Sequence, residues 1–82
     1  MKFLVILSLL VTLLVATVDI NSANVKELTT LKGIGPKKAE SLLNYRKSHC
    51  FKTVDEIVKV KGIGKKTLEK NRKNLRVGVC QR

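Results

Sequence analysis

The sequence predicts a small all-α domain built from two copies of one unit, each a helix, a glycine-containing turn and a second helix. Two observations predict it. The segment LKGIGPKKA, residues 31–39, returns 29 positions later as VKGIGKKTL, residues 60–68, and apolar residues recur at helical spacing on both sides of each GIG. Neither helix pair can bury its apolar face alone, so the two units are expected to pack face to face about a pseudo-twofold axis.

The first residues are typical of an export signal. After Met1 and Lys2, an uncharged apolar run extends from Phe3 to Ala16, which is shorter than the about 20 apolar residues of a membrane-spanning helix. We therefore expect a signal peptide over residues 1–17, cleaved near 16/17, and an exported domain over residues 18–82 that is periplasmic or secreted. Anchoring in a membrane by an uncleaved signal is the alternative.

The chain is strongly basic. It has 17 lysine and arginine residues against 6 acidic residues, a net charge of +11, and the expected signal peptide removes only Lys2 from the basic set. A charge of this size repels itself unless an anionic partner is near. Nucleic acid, acidic protein and membrane lipid all remain open on charge alone, as does a solvated lysine-rich surface without a partner.

Cys50 and Cys80 are the two cysteines of the chain, and an even pair in an exported protein indicates a disulfide. Closing a loop of about 30 residues would stabilise the fold by about 3 to 4 kcal/mol in the chain-entropy model. A zinc site requires four ligands, and beyond these cysteines His49 is the one soft or borderline donor, so we expect no metal and no cofactor.

The first helix is predicted to begin after Asn24, because Glu27 follows three residues later as in a reciprocal capping box. It continues to Leu31, and Gly33 ends it, since glycine is the usual residue just past a helix C-terminus. Pro36 then opens a second helix, because proline at the first helical position gives up an N–H that has no partner there.

The second helix is expected to run toward Lys47, so that the first unit spans residues 24–48. In the second unit, residues 53–75, Thr53 and Glu56 predict another capping box, and Lys65 opens a final helix that carries Leu75. The expected core comprises apolar residues of both units: Leu31, Ile34, Leu42, Leu43, Ile57, Val60, Ile63 and Leu68, with the aromatic Tyr45 and Phe51.

Each GIG turn is a candidate anion site. Glycine lets backbone N–H groups approach a ligand closely, and the helix that follows begins with unpaired N–H groups and the positive end of its dipole. Lysines in that first turn oppose the dipole, an arrangement that a bound phosphate would turn into attraction. The candidate residues are Lys32, Gly33, Ile34, Gly35, Lys37, Lys38, Lys61, Gly62, Ile63, Gly64, Lys65 and Lys66.

Other kinds of site fit less well. A dinucleotide fingerprint requires a third glycine where Lys38 and Thr67 stand, and Lys66 interrupts the P-loop pattern. No pair of carboxylates suits metal-assisted phosphodiester cleavage, so we expect no catalytic residues and no small-molecule substrate. With Tyr45 and Phe51 the only aromatic residues after the signal, stacking on single-stranded bases is disfavoured.

The segments TLKGIGPKKAESLL and VKGIGKKTLEK resemble tandem helix-hairpin-helix motifs, and VDINSANVKEL with FKTVDEIVKVKGIG is similar to the ComEA family of competence proteins. This resemblance covers residues 18 to about 77 and implies a tandem helix-hairpin-helix (HhH)2 domain that binds double-stranded DNA without sequence preference. It also implies that the glycine turns and the following lysines contact phosphate. Asn71 departs from the pattern, because the family usually has an apolar residue there.

The biological role implied by the resemblance is the retention of DNA that enters through the cell envelope during natural transformation, next to the DNA-uptake machinery. An exported structural subunit that uses the same fold to bind protein is the alternative.

Overall fold

The structure is a computed structural model that describes residues 17–80, so the expected signal peptide lies outside the described residues except for Thr17. Within the described part of the chain, no helix is long and apolar enough to cross a membrane. The elements in chain order are β1 (Val18–Asp19), α1 (Val25–Leu28), α2 (Pro36–Arg46), a 3-10 helix (Val54–Lys59), α3 (Lys65–Asn71), a short 3-10 turn (Arg72–Asn74) and β2 (Leu75–Arg76).

The capping box predicted for the first helix is confirmed. The Glu27 N–H donates to Asn24 Oδ1 at 2.8 Å, and the Asn24 N–H donates to Glu27 Oε1 at 2.9 Å. Helix α1 nevertheless ends at Leu28, earlier than predicted. The hydroxyls of Thr29 and Thr30 donate to carbonyls three residues back, at 2.9 and 2.6 Å, and such local bonds favour tight turns over a continued α-helix.

Helix α2 follows the prediction closely. Pro36 occupies its first turn after Gly35, and the helix ends at Arg46. Its apolar stripe faces the interior, where Ala39 and Leu42 are fully buried.

In the second unit the predicted α-helix and capping box are wrong. The segment is a 3-10 helix, the Thr53 side chain makes no capping bond, and Glu56 Oε1 accepts instead from the Lys52 N–H at 2.8 Å. The apolar residues explain the change. Ile57 and Val60, each 1% exposed, are three positions apart, and three residues per turn aligns them on one side.

Helix α3 begins at Lys65 as predicted but ends at Asn71. Leu75, which was expected in this helix, lies in β2 and is buried there. The chain becomes extended at this point because it joins a sheet that the sequence analysis did not predict.

That sheet has two parallel strands, with Val18 opposite Leu75 and Asp19 opposite Arg76. The Ile20 N–H extends the pairing by donating to the Arg76 carbonyl at 3.1 Å. The all-α prediction therefore holds for the two units but omits the strand pair that joins their outer ends.

The core contains the predicted residues Leu31, Ile34, Leu42, Ile57, Val60, Ile63 and Leu68 together with Phe51, whereas Leu43 and Tyr45 are only partly buried. It also contains Ile20, Ala23, Leu28 and Leu75. Ile20 follows β1 and Leu75 belongs to β2, so the strand pair delivers part of the core.

The C-terminal tail is fastened to the rest of the fold. A disulfide joins Cys50 to Cys80, with their Cα atoms 5.7 Å apart. The buried Asn21 donates from Nδ2 to the carbonyls of Phe51 and Gly78 at 2.9 and 3.0 Å, and its Oδ1 accepts from the Phe51 N–H at 2.9 Å. The segment after α2 and the tail are therefore held to the N-terminal segment by the same side chain.

Asp19 makes a second connection to the tail. Its Oδ1 accepts from the backbone N–H groups of Asn21 and Gly78, both at 2.9 Å. Burial on its own raises the pKa of Asp19, but the hydrogen bonds from Gly78, Asn21 and Ser22 and the charge of Arg76 outweigh it. The pKa therefore lies below its usual value.

Candidate functional site

The two GIG segments form turns of the same geometry. In the first turn the Ile34 N–H donates to the Leu31 carbonyl at 3.3 Å, and the corresponding bond in the second is 3.0 Å. The third residue of each turn has positive φ, 79° at Gly33 and 93° at Gly62. A type II turn requires this conformation, which glycine adopts without steric cost.

The isoleucine of each GIG is the inward-pointing residue of its turn. Ile34 is 4% exposed and Ile63 is 3% exposed, so both side chains belong to the core. The buried isoleucine therefore fixes each turn to the core, and the backbone of the turn faces solvent.

The second glycine of each GIG has a different role from the first. Gly35 and Gly64 have φ of −95° and −107°, values that any residue adopts. A Cβ atom built at either position would meet nothing within 4 Å. Neither the backbone nor the packing demands glycine here, but its lack of a side chain leaves the outer surface of the turn open to an approaching ligand.

Each turn leads directly into a helix start. In α2 the first helical bond runs from the Ala39 N–H to the Gly35 carbonyl at 3.0 Å, and the corresponding bond in α3 is 3.1 Å. The N–H groups of Lys37 and Lys38 therefore have no acceptor within α2. Neither glycine N-cap can supply a side-chain cap, and neither first turn contains an acidic residue.

The two helices that precede the turns do have acidic residues in their first turns. Helix α1 has Glu27 in its first turn, and the 3-10 helix has Asp55 and Glu56. Acidic residues at a helix start offset the positive end of the dipole. This offset is missing at the two starts that follow the turns, where lysines stand instead.

Most of the candidate lysines are exposed: Lys32, Lys37, Lys61, Lys65 and Lys66. The ion pairs found between residues 17 and 80 involve none of them. Arg72 pairs with Asp55 at 2.8 Å and with Glu69 at 2.7 Å, and Arg76 approaches Asp19 at 3.7 Å.

Glu69 lies close enough to Lys65 for their charges to interact. The hydrogen bond from Arg72 is the main cause that lowers the pKa of Glu69, and the charges of Arg72 and Lys65 lower it further. Glu69 is thus ionised at neutral pH and forms its ion pair with Arg72, while Lys65 is exposed and takes part in none of the ion pairs of residues 17–80.

Lys38 differs from the other candidates. Its Nζ donates to the Gly33 carbonyl at 3.3 Å, and its stem lies 3.5 Å from where a Cβ on Gly62 would be. In the other half, Thr67 Oγ1 lies 3.6 Å from where a Cβ on Gly33 would be. The third residue of each helix therefore contacts the glycine of the opposite turn, as a pseudo-twofold arrangement requires, and the two turns lie side by side.

Asn71, which departs from the family pattern, was not among the predicted site residues. In the structure Asn71 is 1% exposed. Its Oδ1 accepts from the Lys32 N–H at 2.8 Å, and its Nδ2 donates to the carbonyls of Lys32 and Thr67 at 2.8 and 2.9 Å. The signal that could have identified it is a polar residue at a position of α3 that faces the core.

The described residues away from the turns contain a groove but no cluster of metal-ligating side chains. In residues 17–80, no three histidine, cysteine or acidic side chains cluster as metal ligands. An open groove of about 730 Å³ lies beside the disulfide, and it shares no residue with the candidate set: its lining is Asn21, Ser22, Leu43, Arg46, Lys47, Cys50 and Cys80.

Comparison with known proteins links this architecture to a described motif. Residues 15–76 match the helix-hairpin-helix motif family. The chain is 43% identical over 63 residues to ComE operon protein 1 of Bacillus subtilis (strain 168), an alignment that covers 76% of this chain and 31% of that protein. It is 48% identical over 56 residues to an uncharacterized protein of Haemophilus influenzae, covering 66% of this chain and 50% of the relative.

A third relative belongs to a much longer protein. Endonuclease/exonuclease/phosphatase family domain-containing protein 1 of Rattus norvegicus is 34% identical over 56 residues, which cover 67% of this chain and 10% of that protein. The chain therefore spans half or less of the length of each of these relatives.

Proposed function

Since this chain is a ComEA-like member of the helix-hairpin-helix family, we propose that it binds double-stranded DNA through the phosphate backbone and without sequence preference. One observation supports this most strongly. The two GIG turns lie side by side, and each presents an open glycine and a helix start with lysines but no acidic residue. In this proposal the two sites hold two phosphates of one duplex.

The lack of sequence preference follows from the groups involved. Backbone N–H groups and lysine ammonium groups that contact phosphate oxygens position a protein on DNA but do not read base edges. Binding of this kind depends strongly on salt, because each neutralised phosphate releases counterions. The protein acts in this proposal as a binding protein and not as an enzyme.

The proposed role is to retain incoming DNA during natural competence, outside the cytoplasm and next to the DNA-uptake machinery. The resemblance to ComEA proteins and the similarity to ComE operon protein 1 support it. Export rests on the apolar run from Phe3 to Ala16. N-terminal sequencing of the purified protein tests export: a start near Thr17 or Val18 is expected, whereas Met1 on a membrane-bound species would mean an anchored protein.

The decisive test measures affinity for unrelated duplexes as a function of salt. Replacing Lys37, Lys65 and Lys66 with alanine should flatten the slope of log affinity against log salt by about two to three units, equally on every duplex, since each phosphate contributes about 0.9. Lys38 is left intact because it also contacts the Gly33 carbonyl.

The matched control removes the same charge elsewhere, by alanine at three exposed lysines outside the turns: Lys47, Lys52 and Lys73. This control should flatten the slope by less than about one unit. Equal flattening in both variants would mean that charge alone drives binding and that the turns are structural hinges.

Substitution of the open glycines tests backbone contact without any change in charge. The variants Gly35→Val and Gly64→Val should fold, because φ is ordinary and space is free at both positions, yet they should lose duplex binding. Thermal unfolding verifies the fold. If the unmodified protein binds no duplex at low salt, the structural subunit becomes the better assignment.

A further inference from the structure

We infer that Asn71 is a positioning residue for the first turn: it holds that turn, from the other half of the molecule, in the conformation that contacts phosphate. The inference rests on the proposed function, because it assigns Asn71 a part in the same DNA-binding surface. Asn71 itself is buried and reaches no ligand, so its effect passes through the backbone of Lys32.

The Asn71 amide bonds the backbone of Lys32 in the way that a neighbouring β-strand would. It accepts from the N–H and donates to the carbonyl of the same residue, Lys32, both at 2.8 Å. Lys32 is the second residue of the Leu31–Ile34 turn, directly before Gly33. Bonding both polar groups of this residue limits rotation of the two peptide planes beside it, and these planes determine the direction of the turn.

The side chain of Asn71 is itself fixed. Its second amide hydrogen bonds to the Thr67 carbonyl at 2.9 Å, one turn earlier in α3, while the Thr67 side chain lies against Gly33. Two residues on one side of α3 therefore lie against two successive residues of the first turn. The first turn is thus supported by a helix of the second half of the molecule.

Helix α2 does not support the second turn in the same way. The position in α2 that corresponds to Asn71 is Leu42, which is fully buried and has no polar atom with which to bond the backbone of the second turn. The first turn consequently depends on a hydrogen-bonded residue that the second turn does not have. Loss of Asn71 should impair the first turn while the second keeps its contacts.

The first test compares Asn71→Leu with Asn21→Leu. Asn21 is a matched control, because it too is buried and bonds an N–H and a carbonyl of one residue, Phe51, but it lies outside both turns. Protein purified from cells that express the full chain is titrated with a duplex across salt. We expect Asn71→Leu to flatten the slope by about one to two units and Asn21→Leu to leave it unchanged at a comparable loss of thermal stability.

Amide hydrogen exchange reports on the turn directly. The Lys32 amide should exchange at least tenfold faster in Asn71→Leu than in the unmodified protein. In Asn21→Leu, its exchange rate relative to that of neighbouring amides should be the same as in the unmodified protein. An unchanged salt slope in Asn71→Leu overturns the inference and leaves the proposed function intact. Failure of the unmodified protein to bind duplex overturns both, so the two failures are distinguishable.

A second variant, Asn71→Asp, keeps the inference testable if leucine prevents folding. The aspartate retains the oxygen that accepts from Lys32 but, when ionised, cannot donate to its carbonyl. Burial raises the pKa of such a carboxyl, and protonation restores one donor. The binding deficit relative to the unmodified protein at the same pH should therefore shrink between about pH 8 and about pH 5. A deficit that does not change with pH contradicts the role of the hydrogen bond.

Discussion

The two halves of the molecule contain the same turn but different helices around it. In the first half, a capped α1 precedes the turn and α2 of 11 residues follows it. In the second half a 3-10 helix precedes the turn and α3 of 7 residues follows it. The shared geometry of the turn therefore comes from a glycine with positive φ, one hydrogen bond and one inward isoleucine, whatever the type of the flanking helices, and in the first half Asn71 of α3 adds support.

The second half has the shorter helix after its turn, and it is held by connections over longer distances. The disulfide closes a loop from Cys50 to Cys80, and this loop contains the whole second half. Arg72 bridges Asp55 to Glu69, although such exposed pairs contribute only about 0 to 1 kcal/mol. We therefore expect the helices of the first half to depend on local signals, and the second half to depend on its long-range connections.

The largest effect is expected from breaking the disulfide. Cys80→Ser should lower the free energy of unfolding by about 3 to 4 kcal/mol in the chain-entropy model, because the unfolded chain regains the freedom of a loop of about 30 residues. Chemical denaturation measures it, with reductant added to the unmodified protein as a parallel sample. An unchanged midpoint in both would show that the second half does not rely on this bond.

Alanine at the positive-φ glycines tests whether the two turns are equivalent. Gly33→Ala and Gly62→Ala should each destabilise the fold by about 1 to 2 kcal/mol, the cost of a side chain in the left-handed region. Gly35→Ala is the control, since φ there is ordinary, and it should change stability by less than about 1 kcal/mol. Thermal unfolding of the three variants measures these losses. A large difference in stability between Gly33→Ala and Gly62→Ala would show that the two turns are not equivalent.

Capping residues provide a more direct comparison of the halves. Asn24→Ala should cost about 1 kcal/mol because it removes a side-chain cap, whereas Thr53→Ala should stay within about 0.5 kcal/mol because Thr53 makes no such bond. Both values come from urea denaturation under identical conditions. Equal losses would mean that the second half also depends on a local cap.

Acid should produce the smallest effect, through Asp19, whose bonds tie β1 to the tail. Its pKa is lowered in the folded protein, so its contribution to stability is present above the unfolded pKa of about 3.9 and is lost as pH falls through the lower folded value. Burial opposes the hydrogen bonds and keeps the shift modest. Stability measured between about pH 5 and about pH 2 should fall less in Asp19→Asn than in the unmodified protein, and parallel curves would contradict this.

The features that the sequence by itself predicted correctly mostly have causes that lie within a few residues. Asn24 and Glu27 specify the first helix start, Pro36 opens α2, and the two GIG segments specify glycine-containing turns. Spacing also identified seven core residues correctly. For the helix starts and the turns, the partner is within one helical turn, so the local sequence contains both members of the interaction.

The tertiary structure alone decided the features whose partners are distant. The two-residue strands have no local signature, because β1 acquires its hydrogen bonds only when the end of the chain lies beside it. The segment after Thr53 becomes a 3-10 helix since packing must bury Ile57 and Val60 together. Asn71 is compatible with the core because Lys32, 39 positions away, supplies partners for its amide. Burial of a polar group is favourable only with such partners, and sequence spacing does not reveal them.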